Sequence, residues 1–235
     1  MSRMLNRVVQ SSEAWLRTES VEAGTLAAGR RYQEDGFAGN DALWAVADGM
    51  GGHRAGDLAA RAALETLCAL ISEPVDAETV HKAFVAANDV VLALAEPGEA
   101  RPPGSTLVAA IRREGGGLHI ASTGDSRAYL IHPDDTWELI TDDHEDAFGG
   151  LTAYLGDSRS EGVHVDSRDF PAGRGLRVLL CTDGFFGHVE HETLEELLPQ
   201  GFEEMLTKLA ETSRDNVTAV LIDVDGFCAG TSRTP

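Results

Sequence analysis

Carboxylates recur in one local context in this chain, at the edge of an apolar strand and beside a glycine or a turn residue. The members of this set are Asp48 before Gly49, Asp125 after Gly124, Asp183 before Gly184, Asp215 before Asn216, and the pair Glu34-Asp35 ahead of the first such strand. Mg²⁺ and Mn²⁺ prefer carboxylate and water oxygens, and strand ends hold such ligands rigidly. Two close ions would activate a water molecule and steady the leaving oxygen of a phosphate ester. The pattern therefore indicates an oxygen-ligand metal site.

Each carboxylate on its own has a simpler interpretation. Asp-Gly after a strand is a common turn signal, so any single one is more often a turn than a ligand. Asp225-Gly226 also follows an apolar strand, and we interpret it as a plain turn. The recurrence of the context supports the group of carboxylates and not any one member.

Two further residues near these carboxylates could take part in phosphate chemistry. Arg30, beside Arg31 and just before Glu34-Asp35, could hold a phosphate through two guanidinium nitrogens or be an ordinary surface arginine. His53 could donate a proton to a leaving alkoxide. A structural hydrogen bond at a helix start is the somewhat better interpretation of that histidine.

The elements that must position these residues are mostly strands, accompanied by paired helices. Apolar residues recur at helical spacing over 55–71 and 76–95, with Asp76 as the N-cap of the second stretch, and helical character returns over 192–212. Strands are predicted over 43–47, 105–112, 118–122, 127–131, 137–140, 163–166, 177–182 and 217–224. Short polar turns between several of them favour antiparallel hairpins. We predict an α+β fold with two antiparallel sheets packed face to face and helices outside.

Composition and charge exclude several classes of function. The 235 residues, 43% hydrophobic and 25% charged, suit one domain, and no run approaches the length of a membrane-spanning helix. A net charge of -20 disfavours binding to nucleic acid and to anionic membranes. The cysteines are three, widely spaced and without a CxxC pair, so we expect reduced thiols and no cysteine nucleophile. The first ten residues lack a signal peptide, and we expect a cytoplasmic protein.

From about Gly24 to Val224 the chain resembles the PPM-type, or type 2C, metal-dependent serine/threonine protein phosphatases in their bacterial form. Its motifs stand in family order: Arg30-Arg31-Tyr32-Gln33-Glu34-Asp35, Asp48-Gly49-Met50-Gly51-Gly52-His53 with Gly56, Gly104-Ser105-Thr106, Gly124-Asp125-Ser126-Arg127, Asp143-His144, Leu151-Thr152-Ala153-Tyr154-Leu155-Gly156, Thr182-Asp183-Gly184 and Asp215-Asn216-Val217-Thr218. One such match would be weak, whereas this many in order are specific.

The resemblance implies a four-layer αββα sandwich, two antiparallel β-sheets flanked by helix pairs, formed by residues 1–235 as a single domain with its core at about 20–225. It also implies two Mn²⁺ or Mg²⁺ ions at one end of the sandwich. By motif position, direct ligands would be Asp35, Asp48, Asp183 and Asp215, with the Gly49 carbonyl and, through water, Glu34. Asp125 would serve a third, weaker metal, and Arg30 would hold the substrate phosphate. The residues implied to act in catalysis are Arg30, Asp48 and Asp183.

The chain departs from the family pattern in a few places. Gln33 stands where asparagine is usual, and Ala153 replaces an arginine that is often present. Residues 145–150 alone separate His144 from Leu151, where related bacterial enzymes usually have a much longer segment that includes the flap beside the active site. The flap is therefore expected to be missing or minimal, which leaves substrate selectivity open. Met50 stands where eukaryotic relatives carry a histidine, so His53 is not a clean equivalent of a general acid.

Three hypotheses about function follow. The first is hydrolysis of phosphoserine and phosphothreonine by metal-activated water, opposing a bacterial serine/threonine kinase and acting on its targets, in an enzyme that the family suggests is a monomer. The second is a catalytically weak family member that acts as a regulatory binding module. The third is a phosphatase for a small metabolite or an anti-anti-sigma-type regulator. A metal-dependent assay on phosphothreonine peptides and a substrate panel separate them.

Overall fold

Two antiparallel β-sheets form the centre of the fold in the computed structural model, which describes residues 7–51, 54–98 and 102–229. The strands are β1 Arg7–Val9, β2 Glu13–Arg17, β3 Val21–Leu26, β4 Asp35–Gly39, β5 Leu43–Met50, β6 Gly104–Ser105, β7 Leu107–Arg112, β8 Leu118–Thr123, β9 Arg127–Ile131, β10 Trp137–Leu139, β11 Asp166–Phe170, β12 Arg177–Cys181 and β13 Val217–Asp223. The first sheet has the order β1-β4-β5-β7-β8-β11, with β6 pairing to β5, and the second has the order β10-β9-β12-β13-β3-β2.

Helices cover the outer face of each sheet. The first sheet is covered by α1 Arg54–Leu70 and α2 Ala77–Leu92. The second is covered by α3 Asp183–Phe186, α4 His191–Leu197 and α5 Phe202–Thr212, with a 3-10 turn Leu198–Gln200 between α4 and α5. The last helix, α6 Val224–Ala229, instead adds Val224 and Phe227 to the core between the sheets. Asp76 is the N-cap of α2, and its side chain accepts a hydrogen bond from the backbone N–H of Thr79 at 2.8 Å, as predicted. Among the described residues no helix is both long and apolar enough to cross a bilayer.

The alternation of side chains along β5 shows how the layers are built. Trp44 and Val46 are buried between the two sheets, whereas Ala45 and Ala47 are buried on the opposite face, in the cluster that includes α1 and α2. Successive side chains of a strand point to opposite faces, so one strand contributes to two cores. The small alanines on the helix side allow α1 to pack closely on the sheet.

The second sheet repeats this arrangement. In β12, Val178 and Leu180 lie between the sheets, while Leu179 and Cys181 face the cluster that contains α5, including Leu206. The layers are therefore helices, sheet, sheet and helices. The predicted α+β fold, a four-layer αββα sandwich, is confirmed.

Several predicted boundaries were wrong. The four strands from Arg7–Val9 to Asp35–Gly39 were not predicted. A strand was expected over 163–166, but Val163 and Val165 are not in a strand and only pack against the core between the first sheet and helices α1 and α2. Strand β11 begins at Asp166, which lies opposite Ser122 of β8. Its sequence, DSRDF, is polar and largely exposed because β11 is an edge strand, so it lacks the alternation on which strand prediction depends.

Asp225-Gly226 lies within α6 and is not a plain turn.

Candidate metal centre

A cavity of about 380 Å³ opens at one end of the sandwich. We call it the acidic cavity, and it is lined by Arg30, Glu34, Asp48, Gly49, Met50, Gly51, Thr106, Asp125, Gly149, Leu151, Asp183, Asp215 and Asn216. Every residue predicted from the motifs as a ligand or phosphate holder lines this cavity except Asp35, which lies directly behind it. Arg30 and Asp215, which are 185 positions apart in the chain, are thus brought together.

Asp35 and Asp48 face each other across neighbouring strands. They are Cα partners in the antiparallel pair of β4 and β5. Asp35 is buried, and its Oδ2 accepts a hydrogen bond from Thr182 Oγ1 at 2.8 Å. Because Thr182 directly precedes Asp183, this bond ties the first sheet to the second at the floor of the acidic cavity.

Asp183 and Asp215 approach each other because their strands are antiparallel neighbours. Asp183 follows the end of β12, and Asp215 stands just before the start of β13. The end of one strand and the beginning of the other therefore meet at the same edge of the sheet. Asp125 occupies the turn between β8 and β9 and completes this set from the opposite side.

Asn216 fastens the segment that carries Arg30 and Glu34. Its side-chain oxygen accepts a hydrogen bond from the Glu34 N–H at 2.9 Å, and its Nδ2 donates to the carbonyls of Ala27 at 3.1 Å and Tyr32 at 3.0 Å. One buried amide therefore orients a loop with little secondary structure of its own.

Gln33 has a comparable supporting role. Its Nε2 donates to Thr25 Oγ1 at 2.6 Å, and its Oε1 accepts from the Asp35 N–H at 3.2 Å. The longer side chain thus joins β3 to the start of β4. The departure from asparagine at this position is compatible with an ordered cavity.

Glu34 and two glycines form a close-fitting wall. A Cβ at Gly56 would lie 2.5 Å from Glu34 Oε1 and 2.6 Å from the Gly49 carbonyl oxygen, and one at Gly49 would lie 1.9 Å from the Gly56 carbonyl oxygen. Any side chain at either position would displace its neighbours. The glycines therefore keep the start of α1 against β5 and leave the Gly49 carbonyl beside the carboxylates.

The carboxylates have raised pKa values because they are buried close to one another. Burial raises the pKa of Asp35 to about 7, with Asp183 adding to the shift and the Thr182 hydrogen bond opposing it. Burial and then the Asp35 charge raise the pKa of Asp48 well above its usual range. Burial and Asp215 raise the pKa of Asp183. Such a cluster resists ionisation without positive charge nearby.

The donor set fits hard divalent cations. It consists of carboxylate oxygens and a backbone carbonyl, which are the ligands that Mn²⁺ and Mg²⁺ prefer. One guanidinium, that of Arg30, lines the acidic cavity against five aspartate and glutamate side chains. Divalent cations would supply the missing positive charge and hold the carboxylates ionised.

Arg30 is exposed at the rim of the acidic cavity. Its Nη2 pairs with Asp215 Oδ2, and its Nε donates to the carbonyl of Arg214 at 3.1 Å. Burial acts to lower the pKa of the guanidinium, but the neighbouring Asp215 outweighs it and the net shift is upward. These two contacts hold the Arg30 guanidinium in place through Nε and Nη2. Its Nη1 can still donate a hydrogen bond to a ligand.

The sequence missed two features of the rim. Burial, followed by the Asp183 charge, raises the pKa of Asp125 to about 7, and the nearby Glu145 carboxyl adds to the rise. Gly149 lines the acidic cavity from the short segment 145–150. The position of this segment directly after the Asp143-His144 motif suggested that it lies near the site. No sequence pattern predicted that the segment folds back toward the acidic cavity. His53 lies outside the described residues.

His144, His164 and Asp166 form a separate cluster whose ligand atoms lie within 4.8 Å of one another. His144 Nδ1 accepts a hydrogen bond from the Gly124 N–H at 3.1 Å, so the ring proton is on Nε2, which contacts Asp166 Oδ2 at 2.8 Å. Both nitrogens of His144 are therefore used in hydrogen bonds. We interpret this cluster as structural support for the turn that carries Asp125.

Comparisons with known proteins agree with this geometry. Residues 31–223 match the family model described as protein phosphatase 2C. The chain is 31% identical over 215 residues to the serine/threonine phosphatase Stp of Listeria innocua, covering 76% of this chain and 82% of the relative.

Solved structures show the same similarity. The PPM Ser-Thr phosphatase MsPP of Mycobacterium smegmatis, in complex with cacodylate, superposes with a TM-score of 0.75 at 26% identity, over 89% of this chain and 100% of that one. The catalytic domain of the phosphatase PstP, in complex with two manganese ions, gives a TM-score of 0.69 at 30% identity, over 87% and 98% of the two chains. The chain belongs to the protein phosphatase 2C family of metal-dependent serine/threonine phosphatases.

Proposed function

We propose that the acidic cavity is the catalytic centre and that its residues divide into metal holders and a phosphate holder. Asp35, Asp48, Asp183 and Asp215 are the direct ligands of two Mn²⁺ or Mg²⁺ ions. The Gly49 carbonyl completes one coordination shell, Glu34 acts through water, and Asp125 serves a third, weaker site. The observation that carries this proposal is the convergence of mutually repelling carboxylates, with raised pKa values, around one cavity.

Each residue then has a definite task in ester hydrolysis. When bound, the ions supply positive charge that lowers the pKa of a water molecule and withdraws electrons from the phosphate ester. Asp48 and Asp183 fix the position of that charge, since both are anchored at strand ends. Arg30 holds a phosphate oxygen through the guanidinium face that Asp215 and the Arg214 carbonyl leave open.

A phosphate-release assay tests the assignment. Purified protein is incubated with Mn²⁺ and a phosphothreonine peptide, and Asp183→Asn is compared with Asp89→Asn, an exposed aspartate on α2. Asp183→Asn should lose at least about 100-fold in kcat/KM, the usual effect of removing a group that acts in the transition state. Asp89→Asn should retain full activity. Undiminished release by Asp183→Asn would contradict the assignment.

The role of Arg30 is tested by measuring kcat/KM and Mn²⁺ affinity separately in the variant Arg30→Ala. Arg30→Ala removes a charge-assisted contact worth roughly 1.5–3 kcal/mol, or about 10- to 100-fold in kcat/KM. Mn²⁺ affinity should not fall, because the substitution releases Asp215 from its ion pair. A loss of Mn²⁺ binding in this variant would instead place Arg30 among the groups that support the metals.

The substrates we propose are serine/threonine-phosphorylated proteins, in particular a bacterial-type kinase and its targets. The similarity to the Stp phosphatase supports this substrate class. The retained set of carboxylates supports an active enzyme over a regulatory binding module. Incubation with an autophosphorylated serine/threonine kinase, followed by mass spectrometry of its phosphosites, tests the partner. Persistence of every site while phosphothreonine peptides are hydrolysed would exclude that kinase.

We further propose that the enzyme acts in the cytoplasm as a monomer. Cys68, Cys181 and Cys228 are all free thiols, which suits a reducing compartment. The exposed large apolar residues on α1 and α2, such as Leu58, Leu70 and Val90, are spread along the helices. Light scattering that gives twice the mass of one chain at micromolar concentration would refute the monomer.

A further inference from the structure

A second cavity adjoins the acidic cavity. This side cavity, of about 230 Å³, is lined by Arg30, Arg31, Tyr32 and Glu34. Arg30 and Glu34 line both cavities, so the side cavity begins where the phosphate holder ends. A substrate residue next to the phosphorylated one would lie within reach, because consecutive Cα atoms are about 3.8 Å apart.

Arg31 lies at the rim of the site and differs there from Arg30, which is paired with Asp215. The arginines that form salt bridges with carboxylates are Arg17, Arg30, Arg113, Arg127, Arg159, Arg168 and Arg177. Arg31 has no carboxylate partner within the described residues. Acidic residues outnumber basic ones by 39 to 19, and what sets Arg31 apart from the other arginines without a carboxylate partner is that it lines the side cavity.

The guanidinium of Arg31 is oriented by an aromatic ring. Its Cζ lies 5.4 Å from the centroid of the Tyr32 ring, and both side chains are exposed. A cation–π contact limits the positions of the arginine while leaving its N–H groups directed outward. The ring adds an apolar surface on which the stem of a substrate side chain can lie.

Glu34 is the single carboxylate among the described residues that line the side cavity. Its Oε1 is buried against Gly56 and the Gly49 carbonyl, on the side of the acidic cavity. The side cavity therefore presents two guanidinium groups and a tyrosine ring against one carboxylate, one oxygen of which is buried. Their chemistry matches a carboxylate.

We propose that the side cavity binds an acidic side chain of the substrate, one or two residues from the phosphoserine or phosphothreonine. This inference rests on the proposed function and adds a specificity determinant to it. Arg31 binds the substrate carboxylate, and the ring of Tyr32 positions the Arg31 guanidinium. The preference runs against the overall charge of -20, which by itself favours basic substrates.

The test uses three phosphothreonine peptides that differ only at the two residues on each side of the phosphothreonine, which are all Glu, all Gln or all Lys. Wild-type enzyme with saturating Mn²⁺ should show kcat/KM about fivefold higher for the Glu peptide than for the Gln peptide, the size of one exposed ion pair. In Arg31→Gln this ratio should fall to one or below. The ratio should also shrink as NaCl is raised, since surface charge pairs are screened.

Arg174→Gln is the matched control. Arg174 is exposed, has no carboxylate partner within the described residues, and lies before β12, at the opposite end of that strand from Asp183. It removes the same unit of charge from the molecule, so the Glu-to-Gln ratio should stay at the wild-type value. An equal loss of preference in Arg174→Gln would attribute the effect to net charge and overturn the inference.

The remaining outcomes are also decisive. A wild-type enzyme that hydrolyses all three peptides without favouring the Glu peptide, or an Arg31→Gln variant that keeps the preference, overturns the inference and leaves the proposed function intact. Failure to hydrolyse any of the peptides, while a small aryl phosphate is hydrolysed, removes the proposed substrate class and this inference with it.

Discussion

Replacing Asp35 by asparagine should stabilise the metal-free protein at neutral and alkaline pH while impairing its response to metal. Asp35 is buried, and its pKa in the folded state is raised from 3.8 to about 7. In the unfolded chain the carboxyl ionises near its ordinary value. The folded state therefore holds the proton more tightly, and its stability falls as pH rises from about 4 to about 7.

The size of the effect follows from the shift. Each pKa unit corresponds to 1.36 kcal/mol, so ionised Asp35 costs about 4 kcal/mol above pH 7 in the metal-free protein. Asparagine carries no charge, but its buried amide costs about 1–3 kcal/mol. Its oxygen can still accept from Thr182 Oγ1, as Asp35 Oδ2 does. The net gain of Asp35→Asn should be about 2 kcal/mol at pH 8 and near zero or negative at pH 5.

Urea denaturation of EDTA-treated protein at pH 5 and pH 8 measures this gain. Asp76→Asn is the control, because Asp76 is an exposed N-cap whose pKa is lowered by its hydrogen bonds to Thr79, and asparagine caps equally well. The Asp35→Asn protein should also show a much smaller rise in stability on addition of Mn²⁺. A lower stability than wild type at pH 8, or a gain of equal size at both pH values, would refute the electrostatic reasoning.

Three other predictions concern the fold and the metal response. Gly56→Ala, whose Cβ would lie 2.5 Å from Glu34 Oε1, should weaken Mn²⁺ binding at least about tenfold, measured by calorimetry, whereas Gly98→Asn, at a position with nothing within 4 Å, should not. Phe84→Ala, in the core between α2 and the first sheet, should lower the free energy of unfolding by about 3–5 kcal/mol, measured in urea. Mn²⁺ at 100 times its Kd should stabilise wild type by about 2.7 kcal/mol for each of the two proposed sites at any pH. The Kd itself should increase as pH falls from 8 to 5.5, because protons compete for the carboxylates.

The site could be predicted from the sequence where its residues lie at ends of clearly apolar strands. Asp48 and Asp183 directly follow the predicted strands over 43–47 and 177–182. In the structure Asp48 lies near the end of β5, Asp183 stands just after β12, and both line the acidic cavity. Asp35 was expected before a strand and instead begins one, β4, whose sequence DGFAG has no alternation because it is buried on both faces. Burial of a strand on both faces depends on packing against the opposite sheet, so the local sequence does not predict it.

Other features depended on contacts between distant segments. Glu145 reaches Asp125 only because residues 145–150 form a tight turn, closed by the Asp146 N–H donating to the Gly150 carbonyl at 2.8 Å. The side cavity requires the chain at Arg31 to be held by the amide of Asn216, 185 residues later. No hydrophobic periodicity or short motif predicts either of these contacts between segments. The sequence therefore identified the residues but could not show that they lie close together.

The turn at 145–150 has a consequence for inhibitor design. Asp146 Oδ1 accepts hydrogen bonds from the N–H groups of Phe148 and Gly150, which orders the backbone of the turn. Phe148, 97% exposed, stands at its tip next to Gly149, which lines the acidic cavity. The carboxylates that line the acidic cavity stand in the motifs by which this chain resembles its family, so a compound that binds only there has little basis for discriminating among family members. An aromatic group that stacks on Phe148, joined to an anion directed at Arg31, would bind two side chains of the rim that are not metal ligands, and selectivity for this chain would come from the rim.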